Sequence, residues 1–340
     1  MQYRHRRFSC RVPKGRLGRC DEEAFFDERK RAGVPEKSDK RGRQMKIAIL
    51  IQCHKNPEQV NLLIDVMQHP AFTFFIHVDK KSGIQKELKR VENVFVLPDE
   101  WRVDVQWAGL SQVDATLNLL NYARQKECFD AYWLCSGQDF PVKSAQEIVD
   151  WFEAHAGYDF VELFESKNNG SPHENHYDKR TSVCFPGWML GNTMFRRVCK
   201  RAYVELTGGY NKTFRWARRA PVNGWKFYFG SQWVCLSSRT TEQIIAYLKE
   251  HPEYYRFFKN SFCADEAFFQ TLVMNLPGET KRMDYLHYVD WSEGKNSPKT
   301  LLMEDYDRLI RTDKLMARKF DAKVDAEIME SLRKSVSEKM

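Results

Sequence analysis

The chain has 340 residues, of which 42% are hydrophobic, 14% aromatic and 29% charged. This length and composition are typical of a globular protein with a large core, and they exclude a disordered chain or a small disulfide-stapled domain. The net charge is +8, but residues 1–44 carry 14 Lys/Arg and 7 Asp/Glu, so the rest of the chain is nearly neutral. Such a balance gives no indication of a nucleic-acid-binding face.

Residues 1–44 form a basic head without the apolar core of a secretory signal. The sequence changes abruptly at Met45, which is followed directly by a strand-like apolar run. We therefore expect the head to be a disordered arm or an over-extended start, with Met45 as the native first residue.

Downstream of Met45, the sequence alternates between strand-like and helix-like segments. A strand over 47–51 leads to a helix that begins at Pro57, with Asn56 as the expected N-cap. The next segments are two strands, a helix and a strand, over 72–78, 94–97, 111–123 and 132–135. This alternation predicts an α/β domain with a largely parallel sheet.

Polar residues follow the ends of these strands. His54 follows the first strand and Asp79 the second, while Ser136, Gln138 and Asp139 follow the strand over 132–135. Parallel α/β sheets bind ligands beyond the carboxyl ends of their strands, so we expect these groups to lie together at one edge. The alternative is that they are ordinary turn residues.

Several common catalytic signatures do not occur in the sequence. The sequence contains neither G-x-x-x-x-G-K-[ST] nor G-x-G-x-x-G, which disfavours P-loop NTPases and Rossmann dehydrogenases. It also contains neither H-E-x-x-H nor G-x-S-x-G, which disfavours zinc peptidases and serine hydrolases. One D-x-D pair, Asp305 and Asp307, has the form that holds a divalent cation on a nucleotide sugar. It lies in a helical-looking run over 302–311, far from any strand end, so we interpret it as a solvated helix face.

Six short motifs occur in order along the chain. They are Ile76-His77-Val78-Asp79-Lys80-Lys81-Ser82, Trp107-Ala108-Gly109-Leu110-Ser111-Gln112-Val113, Ser136-Gly137-Gln138-Asp139-Phe140-Pro141, Phe229-Gly230-Ser231-Gln232-Trp233, Ala264-Asp265-Glu266 and Ala317-Arg318-Lys319-Phe320-Asp321. Together they resemble the core-2/I-branching β-1,6-N-acetylglucosaminyltransferase family, which includes peptide O-xylosyltransferases. The resemblance implies an α/β fold of the GT-A glycosyltransferase type, with a Rossmann-like nucleotide-binding half and a mixed central sheet. It implies a domain over 45–325, with a donor half at about 45–165, an acceptor half at about 166–325 and a helical tail at 326–340.

The resemblance further implies an inverting transferase that uses a UDP-sugar and needs neither a metal ion nor another cofactor. Ile51 and Asp79 match positions that hold the uridine, and His54 lies beside them. The motif that contains Ser136, Gln138 and Asp139 stands near the donor, about where metal-dependent relatives keep their aspartates. The missing D-x-D at a strand end fits this metal-free chemistry.

An inverting transfer needs a base that takes the proton of the acceptor hydroxyl as it attacks the anomeric carbon. Glu266 matches the family's catalytic glutamate. It also stands near the start of a predicted helix over 265–274, where backbone N–H groups favour an ionised carboxylate. Asp265 is the lesser candidate, and without the resemblance both would be ordinary acidic residues of a first helical turn.

The departing diphosphate needs fixed cations in the absence of a metal. Lys319 matches a lysine that family members use for this purpose, while its neighbour Arg318 has no such match. The second basic partner in animal members is an arginine earlier in the chain, for which Lys299 is the substitute here. Since lysine lacks the bidentate fork of arginine, this departure changes how a diphosphate would be held. The alternative for both lysines is surface solvation.

Two residues match acceptor-binding positions of the family, Trp291 and, more weakly, Glu165. A sugar presents a flat apolar face flanked by hydroxyls, which an aromatic ring and a carboxylate can recognise together. Residues 168–225, rich in aromatic and basic side chains, are predicted to shape the acceptor pocket. A packing role for Trp291 is the alternative.

These observations predict a bacterial-type enzyme that moves N-acetylglucosamine, or alternatively xylose, from UDP to a carbohydrate hydroxyl in surface polysaccharide synthesis. Cysteines scattered singly without C-x-x-C pairs indicate a reducing, cytoplasmic compartment, and peripheral association with the inner membrane face is left open. One rival is a cation-dependent transferase that uses Asp305 and Asp307. Another is a nucleic-acid-binding protein that acts through the basic head. For the predicted transferase we expect no nucleic-acid partner.

Overall fold

A computed structural model describes residues 44–165, 183–191, 193–207, 224–278, 280–294 and 297–337. Except for Gln44, the predicted head lies outside this part of the chain. The strands are β1 (Ile47–Cys53), β2 (Phe72–Val78), β3 (Val94–Val96), β4 (Ala131–Ser136), β5 (Asp139–Pro141), β6 (Tyr158–Phe160), β7 (Phe164–Glu165), β8 (Tyr228–Phe229), β9 (Cys235–Ser237), β10 (Lys281–Met283), β11 (His287–Val289) and β12 (Met316–Arg318). The helices are α1 (Pro57–Val66), α2 (Ser111–Lys126), α3 (Ala145–Ala154), α4 (Met194–Leu206), α5 (Ser238–Glu250), α6 (Pro252–Phe258), α7 (Phe268–Asn275), α8 (Tyr306–Arg311) and α9 (Glu327–Ser337). None of these described helices is both long and apolar enough to cross a bilayer.

Seven strands form a mixed central sheet in the order β10-β6-β9-β4-β1-β2-β3. β1 pairs in parallel with β2 and β4, and β2 with β3, whereas β9 runs antiparallel to β4 and β6. The predicted parallel arrangement is confirmed for the four N-terminal strands. The α/β class with a mixed central sheet is confirmed as well.

β1 is buried on both of its faces, as its unbroken apolar sequence predicts. Its residues Ile47, Ile49 and Ile51 pack into one layer with α1, α3 and α9, and Ala48 and Leu50 pack into the opposite layer with α2, α5, α6 and α7. Helices therefore cover both faces of the sheet, and α9, in the predicted C-terminal tail, belongs to the first of these layers.

A second sheet, in the order β11-β12-β5, joins the C-terminal region to the end of β4. β12 pairs in parallel with β11 and antiparallel with β5, which follows β4 after a two-residue turn. Phe320 N donates to Gln138 O at 2.8 Å just beyond this pairing. The small sheet thus carries residues 318–321 to the carboxyl end of the central sheet.

Three local predictions need correction. Asn56 has a left-handed φ of 51° and makes no side-chain cap for α1. The helix predicted over 265–274 begins at Phe268, after a 3₁₀ turn at Ala264–Glu266. The predicted helical run over 302–311 is confirmed as a 3₁₀ turn followed by α8, but the interpretation of its D-x-D pair as a solvated helix face is wrong for the buried Asp305. The contacts of these residues are described below.

Candidate active site

Polar loops meet at the carboxyl edge of the central sheet. Asp79 N donates to Cys53 O at 2.9 Å, which ties the loop after β2 to the end of β1. Gly137 N donates to Gln52 O at 2.9 Å, which ties the loop after β4 to the same strand. The loops after these strands therefore converge, as the parallel order of the strands predicts.

The residues predicted to hold the uridine differ in their surroundings. Ile51 lies within β1 with no exposed surface, so its side chain serves the core. Asp79 is half-buried, and its Oδ1 accepts from Lys81 N at 3.0 Å. His54 is exposed at the rim, where its backbone oxygen accepts from Ser82 Oγ at 2.8 Å. Asp79 Oδ2 also lies 3.5 Å from Lys81 Nζ, so both of its carboxylate oxygens contact Lys81. The roles of Asp79 and His54 toward uridine stay predictions.

A buried arginine that the sequence did not single out supports this loop. Arg102 Nε donates to Val78 O, and its Nη2 donates to Asp79 O and Ser82 O, each at 2.9 Å. Because one guanidinium satisfies three carbonyls at the end of β2, it fixes the backbone that presents Asp79. No motif marks Arg102, since three of its hydrogen bonds go to backbone oxygens and its Nη1 donates to the exposed Asp99 at 2.6 Å.

His77 in β2 predicts a pH dependence of stability. Its Nε2 accepts from Val103 N at 2.9 Å, and burial lowers its pKa from 6.5 to about 4. The unfolded chain binds this proton below pH 6.5, whereas the folded chain does not until about pH 4, so stability falls as the pH drops through this window. We expect His77 to lower the free energy of unfolding by about 2 kcal/mol between pH 7 and pH 5.

Urea denaturation of the parent and of His77→Gln at both pH values measures this effect. Glutamine can also accept from Val103 N but does not titrate, so the variant should lose about 2 kcal/mol of the pH dependence. An identical pH profile in both proteins would show that His77 is not protonated in the unfolding transition.

The turn after β4 is closed by the carboxylate of Asp139, which has no exposed surface. Its Oδ2 accepts from Ser136 N at 2.7 Å, and Ser136 Oγ accepts from Gln138 N at 3.1 Å. Gln138 is half-buried, and its Nε2 donates to Phe320 O at 3.3 Å. Of these predicted donor-binding residues, Gln138 offers accessible side-chain surface, Ser136 offers little, and Asp139 acts within the fold.

Asp139 belongs to a buried charge cluster with Arg318 and His287. Arg318 Nη1 lies 3.6 Å from Asp139 Oδ1, and His287 Nε2 lies 3.2 Å from Asp139 Oδ2. Burial lowers the pKa of His287, so the imidazole is neutral and Arg318 carries the charge that balances Asp139. The guanidinium also lies over the Trp233 ring, 3.9 Å from its centre. The cluster therefore joins β11 and β12 to the turn after β4.

One group among the described residues could be considered for a metal ion. The ligand atoms of Cys135, Asp139 and His287 lie within 4.8 Å of one another. However, the Arg318 guanidinium already balances the carboxylate, and burial raises the pKa of the Cys135 thiol, which opposes formation of the thiolate that a metal requires. These residues fit a buried structural cluster better than a metal centre.

Lys299, one of the two predicted diphosphate cations, is already paired. Its Nζ lies 2.7 Å from Glu304 Oε1 and 3.0 Å from Oδ1 of the buried Asp305, and these hydrogen bonds raise its pKa. Asp305, the first acid of the D-x-D pair, therefore acts inside the fold, while Asp307 is exposed on α8. The arrangement does not place the two aspartates together as cation ligands.

Lys319, the other predicted diphosphate cation, has no carboxylate at ion-pair distance among the described residues. Its Nζ donates to Ser297 Oγ at 3.2 Å. Burial, with the nearby charges of Arg318 and Lys55, lowers the pKa of Lys319. An incoming anion would relieve this repulsion.

Lys55 is a second cation at this edge that sequence reasoning missed. Its Nζ lies 2.6 Å from Asp321 Oδ2, and Asn56 Nδ2 donates to Asp321 Oδ1 at 2.8 Å. The amide of Asn56 is therefore used in this contact instead of capping α1. Lys55 could have been predicted from the sequence, because it comes directly after His54 at the end of a strand.

Gln59 in α1 holds these segments together. Its Nε2 donates to Gly137 O at 3.0 Å and to Phe320 O at 3.2 Å, and its Oε1 accepts from Ala322 N at 3.0 Å. Because the side chain is almost fully buried, these hydrogen bonds are shielded from water. Gln59 thereby connects the turn after β4 to the segment that carries Lys319.

Glu266, the predicted base, lies in the 3₁₀ turn before α7 and is half-buried. Its backbone oxygen accepts from Gly230 N at 3.0 Å, and the preceding Cys263 N donates to Ala108 O at 2.9 Å, just before α2. α2 is in turn tied to the end of β1, because Gln52 Nε2 donates to Thr116 Oγ1 at 2.8 Å. These contacts bring the turn with Glu266 to the same edge of the sheet.

Gly230 allows the chain to approach Glu162 closely beside this turn. A Cβ at residue 230 would lie 1.9 Å from Glu162 O. We expect Gly230→Ala to lower the free energy of unfolding by at least roughly 1–3 kcal/mol, because backbone must move. Gly83→Ala is the matched control, since nothing lies within 4 Å of its added Cβ. Urea denaturation of both variants tests this, and equal stability would contradict the close approach.

Trp291 follows β11, and Lys319 follows the neighbouring parallel strand β12, so both residues lie at the same end of the small sheet. The Trp291 side chain is 55% exposed, which contradicts the alternative of a buried packing role. Glu165 lies in β7, where it pairs with Tyr228 of β8. The side chain of Glu165 and much of 168–225 lie outside the described residues, so their acceptor role stays a prediction.

The mixed sheet and the polar groups gathered at its carboxyl edge define an α/β protein with a Rossmann-like half and a candidate ligand site beyond its strand ends. Residues 47–309 match the sequence profile of the Core-2/I-Branching enzyme family. The chain therefore belongs to this family of glycosyltransferases, and its architecture is the GT-A type that the six motifs implied.

Curated relatives found by sequence are xylosyltransferases. The xylosyltransferase of Ciona intestinalis is 24% identical over 94% of this chain and 37% of its own length, and Xylosyltransferase 2 of Homo sapiens is 23% identical over 86% of this chain and 34% of its own length. The chain thus spans about a third of the length of these relatives. The crystal structure of mouse xyloside xylosyltransferase 1 aligns with a TM-score of 0.36 and 11% identity, covering 80% of this chain and 97% of that one, which adds no weight to the fold assignment.

Proposed function

We propose that this chain is an inverting glycosyltransferase that moves a sugar from UDP to a carbohydrate hydroxyl without a metal ion. The observation that carries this proposal is the pair of lysines at the carboxyl edge. Lys319 lacks a carboxylate partner among the described residues, and Lys55 lies near enough to lower its pKa. A diphosphate between two such cations places its nucleoside over the loops of His54 and Asp79.

In the proposed reaction, the acceptor oxygen forms a bond to the anomeric carbon as the bond from that carbon to the β-phosphate oxygen breaks. Glu266 takes the proton of the attacking hydroxyl, so the nucleophile gains its charge only in the transition state. Lys319 and Lys55 balance the negative charge that develops on the departing UDP. Attack from the face opposite UDP inverts the anomeric configuration.

The acceptor site of this proposal lies beside Trp291. Its exposed ring can stack on the apolar face of a sugar. Trp291 lies at the same end of the small sheet as Lys319. We assign Glu165 to the acceptor hydroxyls as the weaker part of this proposal. The inverting reaction requires that a carbohydrate hydroxyl held there reaches the anomeric carbon from the side opposite the diphosphate.

N-acetylglucosamine is the donor sugar that follows from the branching-enzyme motifs, and xylose is the alternative. The names of the curated relatives favour xylose. We further propose a cytoplasmic enzyme of surface polysaccharide synthesis. The free thiols of Cys53, Cys135 and Cys235 are in keeping with this compartment, whereas the disulfide-bonded Cys128 is not.

UDP release from a panel of UDP-sugars, measured in chelator, tests the proposed function. We expect turnover with UDP-N-acetylglucosamine or UDP-xylose, and the preferred donor decides between the two. Activity that requires manganese and is lost in Asp307→Asn, a substitution at the exposed acid of the D-x-D pair, would support the cation-dependent rival. A protein that neither turns over any UDP-sugar nor binds UDP in calorimetry would contradict the proposal as a whole.

A further inference from the structure

The outer face of α4 exposes large apolar side chains. Met194 is 75%, Phe195 70%, Val198 60% and Leu206 80% exposed. At 100° per residue these four lie within an arc of about 120°, so they form one continuous stripe along the helix. Isolated apolar residues are normal on a protein surface, but a contiguous stripe of this kind marks a site of contact.

α4 packs on the protein body through its other, more polar side. Lys200 Nζ lies 3.9 Å from the centre of the Phe262 ring, and Arg196 Nη1 donates to Leu190 O at 2.9 Å. Val204 is buried, and Tyr203 donates to Cys184 O at 3.2 Å. The inward side of the helix therefore combines these polar contacts with apolar packing of Tyr203 and Val204, and the apolar stripe on the outer side is additional to this packing.

Positive charge borders the apolar stripe. Arg197 and Arg201 are exposed and lie one turn apart, next to Met194 on the helical wheel. The helix carries four basic residues and one acid, Glu205, a net charge of +3. An apolar stripe beside a row of arginines is the pattern of helices that lie in the interface of an anionic bilayer.

We propose that this face, formed by Met194, Phe195, Val198 and Leu206 with Arg197 and Arg201, docks on an anionic lipid surface. The apolar side chains enter the boundary between head groups and acyl chains, while the arginines contact lipid phosphates at the same depth as the helix axis. An apolar protein partner would satisfy the stripe but would leave the arginines without counter-charges, which is why lipid fits both features.

This orientation also bears on the acceptor, a step that rests on the proposed function. Phe262, which Lys200 contacts, precedes the turn that holds Glu266 by a few residues. A membrane-docked α4 therefore keeps the proposed base close to the lipid surface. The acceptor class that fits this placement is a sugar attached to a membrane lipid.

Cosedimentation of the full chain with vesicles tests the docking surface, without any substrate. We expect binding to phosphatidylcholine vesicles that contain phosphatidylglycerol, and much weaker binding to phosphatidylcholine alone or at high salt. Val198→Glu should weaken binding by at least about tenfold, and Arg197→Ala or Arg201→Ala by about fivefold each. Val91→Glu is the matched control, because Val91 is an exposed valine far along the chain from α4.

Three results would overturn the docking surface. These are no vesicle binding by the parent protein, equal binding to neutral and anionic vesicles, and equal losses in Val198→Glu and Val91→Glu. A parent chain that is dimeric without lipid but monomeric as Val198→Glu would assign the face to a second copy instead. Because the assay needs no UDP-sugar, failure of the proposed transferase activity would leave the docking result standing, and the reverse also holds.

Discussion

Replacing Glu266 with glutamine is expected to lower turnover by roughly two to four orders of magnitude, the range that general-base catalysis contributes. Glutamine keeps the size of the side chain and much of its hydrogen bonding but cannot take a proton from the acceptor hydroxyl. The diphosphate cations are unaffected, so UDP should bind with the parent affinity. Initial rates of UDP release at saturating donor and calorimetric titration with UDP measure the two effects separately.

Two further variants make this prediction sharper. Glu100→Gln removes an exposed carboxylate in the loop after β3 and should leave turnover unchanged. Asp265→Asn tests the lesser candidate, whose side chain is almost fully buried beside Glu266. If Glu266→Gln retains the parent rate while Asp265→Asn loses it, Asp265 is the base, and the assignment of Glu266 is wrong.

The part of the fold predicted most accurately is the part that local sequence determines. The buried strands β1, β2 and β4 are mostly apolar, and polar residues follow directly where each one ends. Since parallel strands share a direction, their carboxyl ends must lie on one edge, whatever the details of packing. The location of the candidate site followed from this rule without any contact being known.

Other details depend on side-chain contacts that the local sequence pattern does not show. Asn56 is a residue type that often caps helices, but its Nδ2 donates to Asp321, 265 positions away. Lys299 was predicted as a diphosphate ligand because it stands in for an arginine of animal family members, and the structure shows its ammonium paired with Glu304 and Asp305. Which charges are paired is a tertiary property, because it depends on side chains that the fold brings together.

The same reasoning separates Asp139 from the other predicted donor residues. Its motif was recognisable, but only the fold shows that Arg318 and His287 enclose its carboxylate. A buried carboxylate with a cationic partner supports the geometry of the turn without needing to touch a ligand. Arg318 then has a defined task, to hold the segment that presents Lys319, although no family match marks it.

A series of three lysine variants should distinguish the cations that hold the diphosphate. We expect Lys319→Ala and Lys55→Ala each to weaken UDP binding by on the order of ten- to a hundredfold, since each removes a charge-assisted hydrogen bond to phosphate. Lys299→Ala should leave the affinity for UDP nearly unchanged. It should instead lower the free energy of unfolding by about 1–3 kcal/mol, because the buried Asp305 loses its closer cation and keeps Arg308, whose Nη2 lies 3.7 Å from Asp305 Oδ1. Calorimetry with UDP and urea denaturation of all three variants measure the two effects.

Uridine is the control ligand for this series, because it lacks the phosphates. Its affinity should be the same in the parent, Lys319→Ala and Lys55→Ala, which separates lost diphosphate contacts from a distorted nucleoside site. The Lys55 prediction is the more demanding one, since Asp321 already pairs with this lysine and must share it with an incoming diphosphate. If Lys299→Ala loses affinity for UDP while Lys55→Ala keeps it, Lys299 and Lys319 hold the diphosphate, as the sequence predicted. Lys55 is then not part of the site.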